Sequence, residues 1–162
     1  MSKTAIYPGS FDPITYGHLD LIKRATDVFN DVIVAVAENT QKDTLFNIEE
    51  RVEMVRESTS DIGKVRVESF KGLIIDYARN NNANVLIRGV RMFSDFEYEL
   101  QMALTNRRFD ESIETVFLMP SEGHSFISST LIKEGISLGA DVRSFVPQLV
   151  VDRLKEKLSV KA

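Results

Sequence analysis

Ser10 and His18 have the chemistry and the spacing to hold a phosphate. They sit in the stretch Ile6-Tyr7-Pro8-Gly9-Ser10-Phe11-Asp12-Pro13-Ile14-Thr15-Tyr16-Gly17-His18. A short apolar run leads in, Pro8-Gly9 bounds it, and helical periodicity begins at Gly17-His18. Unpaired backbone N–H groups at a helix start, beside a hydroxyl and an imidazole, suit phosphate oxygens. Gly9 and Gly17 would let the backbone approach a ligand closely. No G-x-G-x-x-G is present and no G-K-[ST] follows, so neither the dinucleotide fingerprint nor a P-loop applies. The same residue types also suit a plain strand-to-helix turn with a histidine cap, and on types alone the two readings stand level.

Three further groups could do related chemistry. Arg88-Gly89-Val90-Arg91 leaves the apolar run Val85-Leu86-Ile87, so Arg88 calls for an anionic partner, either a ligand or a buried carboxylate. Ser128-Ser129-Thr130 places consecutive hydroxyls at a helix start, fit for an anion or for simple N-capping. Lys42, in the polar loop Glu38 to Thr44, reads by itself as solvated surface, and so do His124, Glu97 and Glu99.

The elements that must position these groups alternate between strand and helix. Strands are expected at Thr4–Tyr7, Val32–Ala37, Val65–Phe70, Val85–Ile87 and Thr115–Met119, the third near a sheet edge. Helices are expected after His18, where Leu21, Ala25 and Val28 recur with His18, Ile22 and Phe29 alongside, and from Asn47, whose Glu50 completes a capping box. Others are expected over Leu73–Asn80, over Asp95–Arg108 as an amphipathic helix, from Ser128 or Ser129, and from Pro147. Every helix offers an apolar stripe for the chain's own core. This pattern predicts an α/β fold: a doubly wound, mostly parallel five-stranded sheet with helices on both faces, spanning residues 1–162 as one domain. Ligands bind such sheets beyond the strands' carboxyl ends, where strand order reverses. Ser10, Lys42, Arg88 and Ser121 all follow strands.

Composition removes several classes. The 162 residues contain no cysteine, which excludes disulfides, thiolate catalysis and cysteine-based zinc sites. A net charge of −4 makes long nucleic acid a poor partner. The longest apolar run, Val32–Ala37, is too short to span a bilayer, and no signal-peptide pattern opens the sequence, so a cytoplasmic protein is expected.

The residues Tyr7-Pro8-Gly9-Ser10-Phe11-Asp12-Pro13 with Thr15-x-Gly17-His18 resemble the signature of the bacterial phosphopantetheine adenylyltransferases, in the nucleotidyltransferase superfamily marked by T/H-x-G-H. Ile87-Arg88-Gly89-x-Arg91 with Asp95-Phe96-Glu97-Tyr98-Glu99 resembles the family's second block, and Ile127-Ser128-Ser129-Thr130-x-Ile132-Lys133 its third. The resemblance covers essentially the whole chain and implies a Rossmann-like nucleotidyltransferase fold. It also implies transfer of the adenylyl group of ATP to 4′-phosphopantetheine, giving dephospho-coenzyme A and pyrophosphate.

By the same resemblance Ser10, His18, Lys42 and Arg91 are catalytic. Ser10, Phe11, His18, Gly89, Val90, Arg91, Glu99 and His124 to Thr130 (with Ser125, Phe126, Ile127, Ser128 and Ser129 between) face ATP. Ser10, Lys42, Ile74 and Arg88 face phosphopantetheine. Mg²⁺ would arrive on the ATP phosphates, since no carboxylate cluster marks a protein-built metal cage. A homohexamer and feedback by coenzyme A are further family expectations. The alternative is an adenylyl- or cytidylyltransferase for another acceptor, such as nicotinate mononucleotide or glycerol 3-phosphate. A catalytically silent nucleotide-binding regulator is a third possibility.

Overall fold

Five parallel strands form the sheet of the computed structural model, which describes residues 3–38 and 43–158. They are β1 (Thr4–Gly9), β2 (Asp31–Ala37), β3 (Val65–Phe70), β4 (Val85–Gly89) and β5 (Glu114–Leu118), in the order β3-β2-β1-β4-β5. The crossovers contain α1 (Tyr16–Val28), α2 (Ile48–Ser58), α3 (Ile74–Asn80) and α4 (Phe93–Phe109); α5 (Ser129–Ser137) and α6 (Gln148–Leu158) follow β5. All pairings are parallel, and β3 is an edge strand as its alternating pattern predicted.

Alternation along the strands builds one core on each face. Ala5, Tyr7, Val32, Val34, Val36, Val85 and Ile87 pack with α1, α2, α5 and α6, whereas Ile6, Ile33, Ala35 and Leu86 pack with Ile75 and Ala78 of α3. Such continuous apolar runs are what strands covered on both faces require.

Two expectations about helices fail. Val28 is 64% exposed where α1 ends, whereas Phe29, expected in the same recurring set, is buried. The larger departure is α4. Glu99 is its single buried residue, and Phe93, Tyr98, Leu100, Met102 and Leu104 face outward. Only Phe96 makes an aromatic contact with the sheet, edge-on to Phe117 at 5.7 Å. Apolar residues on all sides defeat a 3.6-residue stripe, so α4 is not amphipathic in the way its composition suggested.

Candidate active site

A cleft of about 350 Å³ opens over the carboxyl ends of β1 and β4, on either side of which the sheet runs in opposite chain order. This is the topological switch point at which α/β sheets bind ligands. The β1–α1 turn, the end of β4, Glu99 of α4 and the segment entering α5 line it.

Thr15 is the N-cap of α1 and His18 its third residue, and the two form a capping box. The His18 N–H donates to Thr15 Oγ1 at 3.3 Å, and the Thr15 N–H donates to His18 Nδ1 at 3.1 Å. Nδ1 therefore accepts, and in the neutral ring the proton belongs on Nε2. Burial, reinforced by the Arg91 guanidinium, lowers the His18 pKa to about 4. At neutral pH His18 is an uncharged hydrogen-bond donor with a fixed tautomer.

Three glycines of the cleft wall also sit against the protein's own side chains and backbone. Phe11 has φ 47°, an uncommon left-handed backbone for an aromatic residue. Its ring folds back so that a Cβ at Gly9 would lie 3.0 Å from it. A Cβ at Gly17 would meet the His124 carbonyl at 3.4 Å, and one at Gly89 would run into Leu21. Gly9 and Gly17 both line the cleft as well as packing against Phe11 and the His124 carbonyl.

Arg88 finds its anion within the chain. Its Nε and Nη2 donate to Glu99 at 2.6 and 2.7 Å, and Nη1 donates to the Pro8 carbonyl at 3.2 Å. Those bonds use three of five guanidinium protons, leaving one on each terminal nitrogen for the cleft. Glu99, which on its own read as a solvated helix charge, is the inward anchor of α4. Arg91 donates to the Ile127 carbonyl at 2.8 Å and to Asp95 at 3.2 Å, tying the β4–α4 turn to the entry of α5.

The hydroxyl run divides its work. Ser128 caps α5, accepting from the Leu131 N–H at 3.5 Å, and Ser129 donates to the Pro13 carbonyl at 2.8 Å. Thr130 is exposed in the cleft wall. His124 lies 3.3 Å from Ser121 Oγ, and Asp20 holds Ser121 through its hydroxyl and N–H at 2.6 and 2.7 Å. Burial pushes the Asp20 carboxyl up, but these bonds and Arg24 outweigh it and hold the carboxyl below its usual range.

Of the expected site residues, Ser10, Phe11, His18, Arg88, Gly89, Arg91, Glu99, His124, Ile127, Ser128, Ser129 and Thr130 line one cleft. Four others stand elsewhere. The Val90 N–H donates to Leu118 across the sheet end, Ser125 donates to Glu122, Phe126 packs edge-on to Phe145, and Ile74 packs against the α3-side core. Lys42 lies outside the described residues.

Two buried residues with no expected role carry the turn. Arg51 of α2 donates to the carbonyls of Ser10 at 2.6 Å, Ala37 at 3.0 Å and Phe46 at 3.2 Å. Asp12 accepts from the Leu45 and Phe46 N–H groups at 2.9 and 3.0 Å and from Lys133 at 2.7 Å. Lys133, the last residue of the third block, is therefore spent on joining α5 to the β1–α1 turn. A sequence signal existed for Arg51: it falls between Ile48 and Val55 on the inward stripe of α2.

A parallel sheet with polyanion-binding groups gathered at its switch point defines a nucleotide-binding α/β protein. The cytidylyltransferase-like family model matches residues 6–135. The phosphopantetheine adenylyltransferase of Caldanaerobacter subterraneus subsp. tengcongensis is 51% identical, over 96% of this chain and 97% of its own. That of Syntrophus aciditrophicus is 50% identical, over 97% and 95%. Plasmodium falciparum nicotinic acid mononucleotide adenylyltransferase, complexed with NaAD, superposes with a TM-score of 0.73 at 15% identity, covering 99% of this chain and 97% of that one. The same enzyme complexed with APC gives 0.71 at 15% identity, again covering 99% and 97%. The chain belongs to the cytidylyltransferase-like nucleotidyltransferases, and within them to the phosphopantetheine adenylyltransferase family.

Proposed function

We propose that the chain transfers the adenylyl group of ATP to 4′-phosphopantetheine, forming dephospho-coenzyme A and releasing pyrophosphate. The carrying observation is the neutral, tautomer-fixed His18 in a cleft with Arg88, Arg91 and Ser10. An acceptor phosphate oxygen attacks the α-phosphorus in line; the new P–O bond forms as the bond to the β-phosphate bridging oxygen breaks, and pyrophosphate leaves with that electron pair. A phosphate monoester has a second pKa of about 6 and is already mostly dianionic, so no general base is required. What the reaction needs is positioning and stabilisation of developing charge. His18 Nε2–H and Arg91 supply donors at the α-phosphate, the entry of α5 receives the β- and γ-phosphates, and Arg88 offers its remaining protons to the acceptor phosphate.

Mg²⁺ would be held by phosphate oxygens and water, where it neutralises charge on the nucleotide. The cleft suits that arrangement: its one carboxylate, Glu99, is engaged by Arg88 through both oxygens. No helix among the described residues is long and apolar enough to cross a membrane, and the reading places the reaction in the cytoplasm.

The same reading includes a homohexamer, supported by the outward apolar side chains of α4, which a second copy would cover. Coenzyme A combines a pantetheine arm with an adenine nucleotide, so feedback by occupation of this cleft also follows. Pyrophosphate release with alternative acceptors tests the assignment.

A further inference from the structure

Tyr7 is 5% exposed, yet its hydroxyl has no hydrogen-bond partner among the described residues. A buried phenol normally finds one. The oxygen is not sealed in the core, because Ser58 Oγ is the only described side-chain polar atom that is both enclosed and unbonded. Tyr7 lines the cleft, and its hydroxyl stands 3.9 Å from where a Cβ on Gly89 would be. The side chain is fixed from behind by Phe11, edge-on at 5.5 Å, which in turn meets the His18 ring at 5.0 Å.

The sheet face decides which half of the cleft this hydroxyl serves. Ala5 and Tyr7 belong to the core beneath α1, with Leu21 and Phe11. Leu86 packs on the opposite face, and Arg88, two residues further along β4, shares that face with its partner Glu99 on α4. Tyr7 is therefore on the His18 side. Arg88, Arg91 and Glu99 all act on it electrostatically, and burial drives its pKa upward, so it remains a protonated donor. A protonated O–H that feels the charges of Arg88 and Arg91 suits an anionic oxygen.

We propose that the Tyr7 hydroxyl is a nucleotide-binding group, donating to a phosphate oxygen of ATP on the floor of the cleft. The assignment to ATP rests on the adenylyl-transfer reading above. Removing a hydrogen bond to a charged group weakens binding by about tenfold or more.

Tyr7→Phe removes one oxygen and no protein contact, so the full-length variant should melt at the wild-type temperature or slightly above. Calorimetric titration should then give an ATP Kd raised about tenfold, with 4′-phosphopantetheine binding unchanged. An unchanged ATP Kd overturns the proposal, as does a change confined to phosphopantetheine. A clearly lower melting temperature also overturns it, since the hydroxyl would then be holding the fold. Both titrations read without turnover. Wild-type protein that binds ATP but turns over no acceptor defeats the transfer reading while leaving the Tyr7 comparison decisive. Wild-type protein that does not bind ATP defeats both.

Discussion

The backbone N–H of Thr15 donates to His18 Nδ1 at 3.1 Å, and this bond settles which ring nitrogen can serve the substrate. With Nδ1 occupied as an acceptor, His18 faces the cleft as an Nε2–H donor, held on the first turn of a helix. Such a ring can donate to an anion and takes up no proton at neutral pH.

His18 should consequently titrate far below an ordinary histidine. NMR of the free protein should show it neutral, protonated on Nε2, down to a pKa of about 4. Between the ordinary value of 6.5 and about 4 the unfolded chain binds the proton and the folded chain does not, so stability falls as pH drops through that window. His18→Ala should lower kcat by about 10²–10³, roughly 3–4 kcal/mol, with ATP affinity little changed. A variant that loses ATP binding yet keeps kcat at saturation would make His18 a binding residue instead.

The sheet, its parallel sense and the order of its elements were legible because both-face burial leaves unbroken apolar runs such as Val32–Ala37. The three blocks were legible as candidate phosphate contacts, since hydroxyls and guanidiniums follow strand ends. The pairing of Arg88 with Glu99 was not, because the turn and helix across their eleven-position separation decide whether a helix glutamate faces water or the sheet. Nor were the partners of Asp12 and Arg51, although Arg51 falls on the inward stripe of α2. Apart from Lys133, those partners are backbone groups of other segments, and backbone groups carry no residue signature.

The Arg88–Glu99 pair should support both stability and acceptor binding. Glu99 is 11% and Arg88 32% exposed at their side chains. Stranding a buried charge costs about 3–5 kcal/mol, and partial solvation of the guanidinium reduces that to about 2 kcal/mol for Glu99→Ala. Denaturant melts should show this loss, and a double Arg88→Met, Glu99→Leu variant should recover much of it. Acceptor KM should stay raised in the double variant. Glu99→Ala with wild-type stability would show that the pair anchors nothing.

Self-association should depend on α4, where Phe93 is 94%, Tyr98 61% and Leu104 55% exposed. Sedimentation velocity should show a hexamer for the wild-type chain. Leu104→Glu, at a residue that does not line the cleft, should shift it to smaller species with an unchanged circular dichroism spectrum. A wild-type monomer at micromolar concentration would remove the assembly from the account.

Acceptor choice tests the central claim most directly. Purified protein with ATP and Mg²⁺ is offered 4′-phosphopantetheine, nicotinate mononucleotide or glycerol 3-phosphate, and pyrophosphate release is followed. The account predicts turnover with 4′-phosphopantetheine alone, accompanied by dephospho-coenzyme A. Equal or faster release with either of the other acceptors, or none with any, would contradict it.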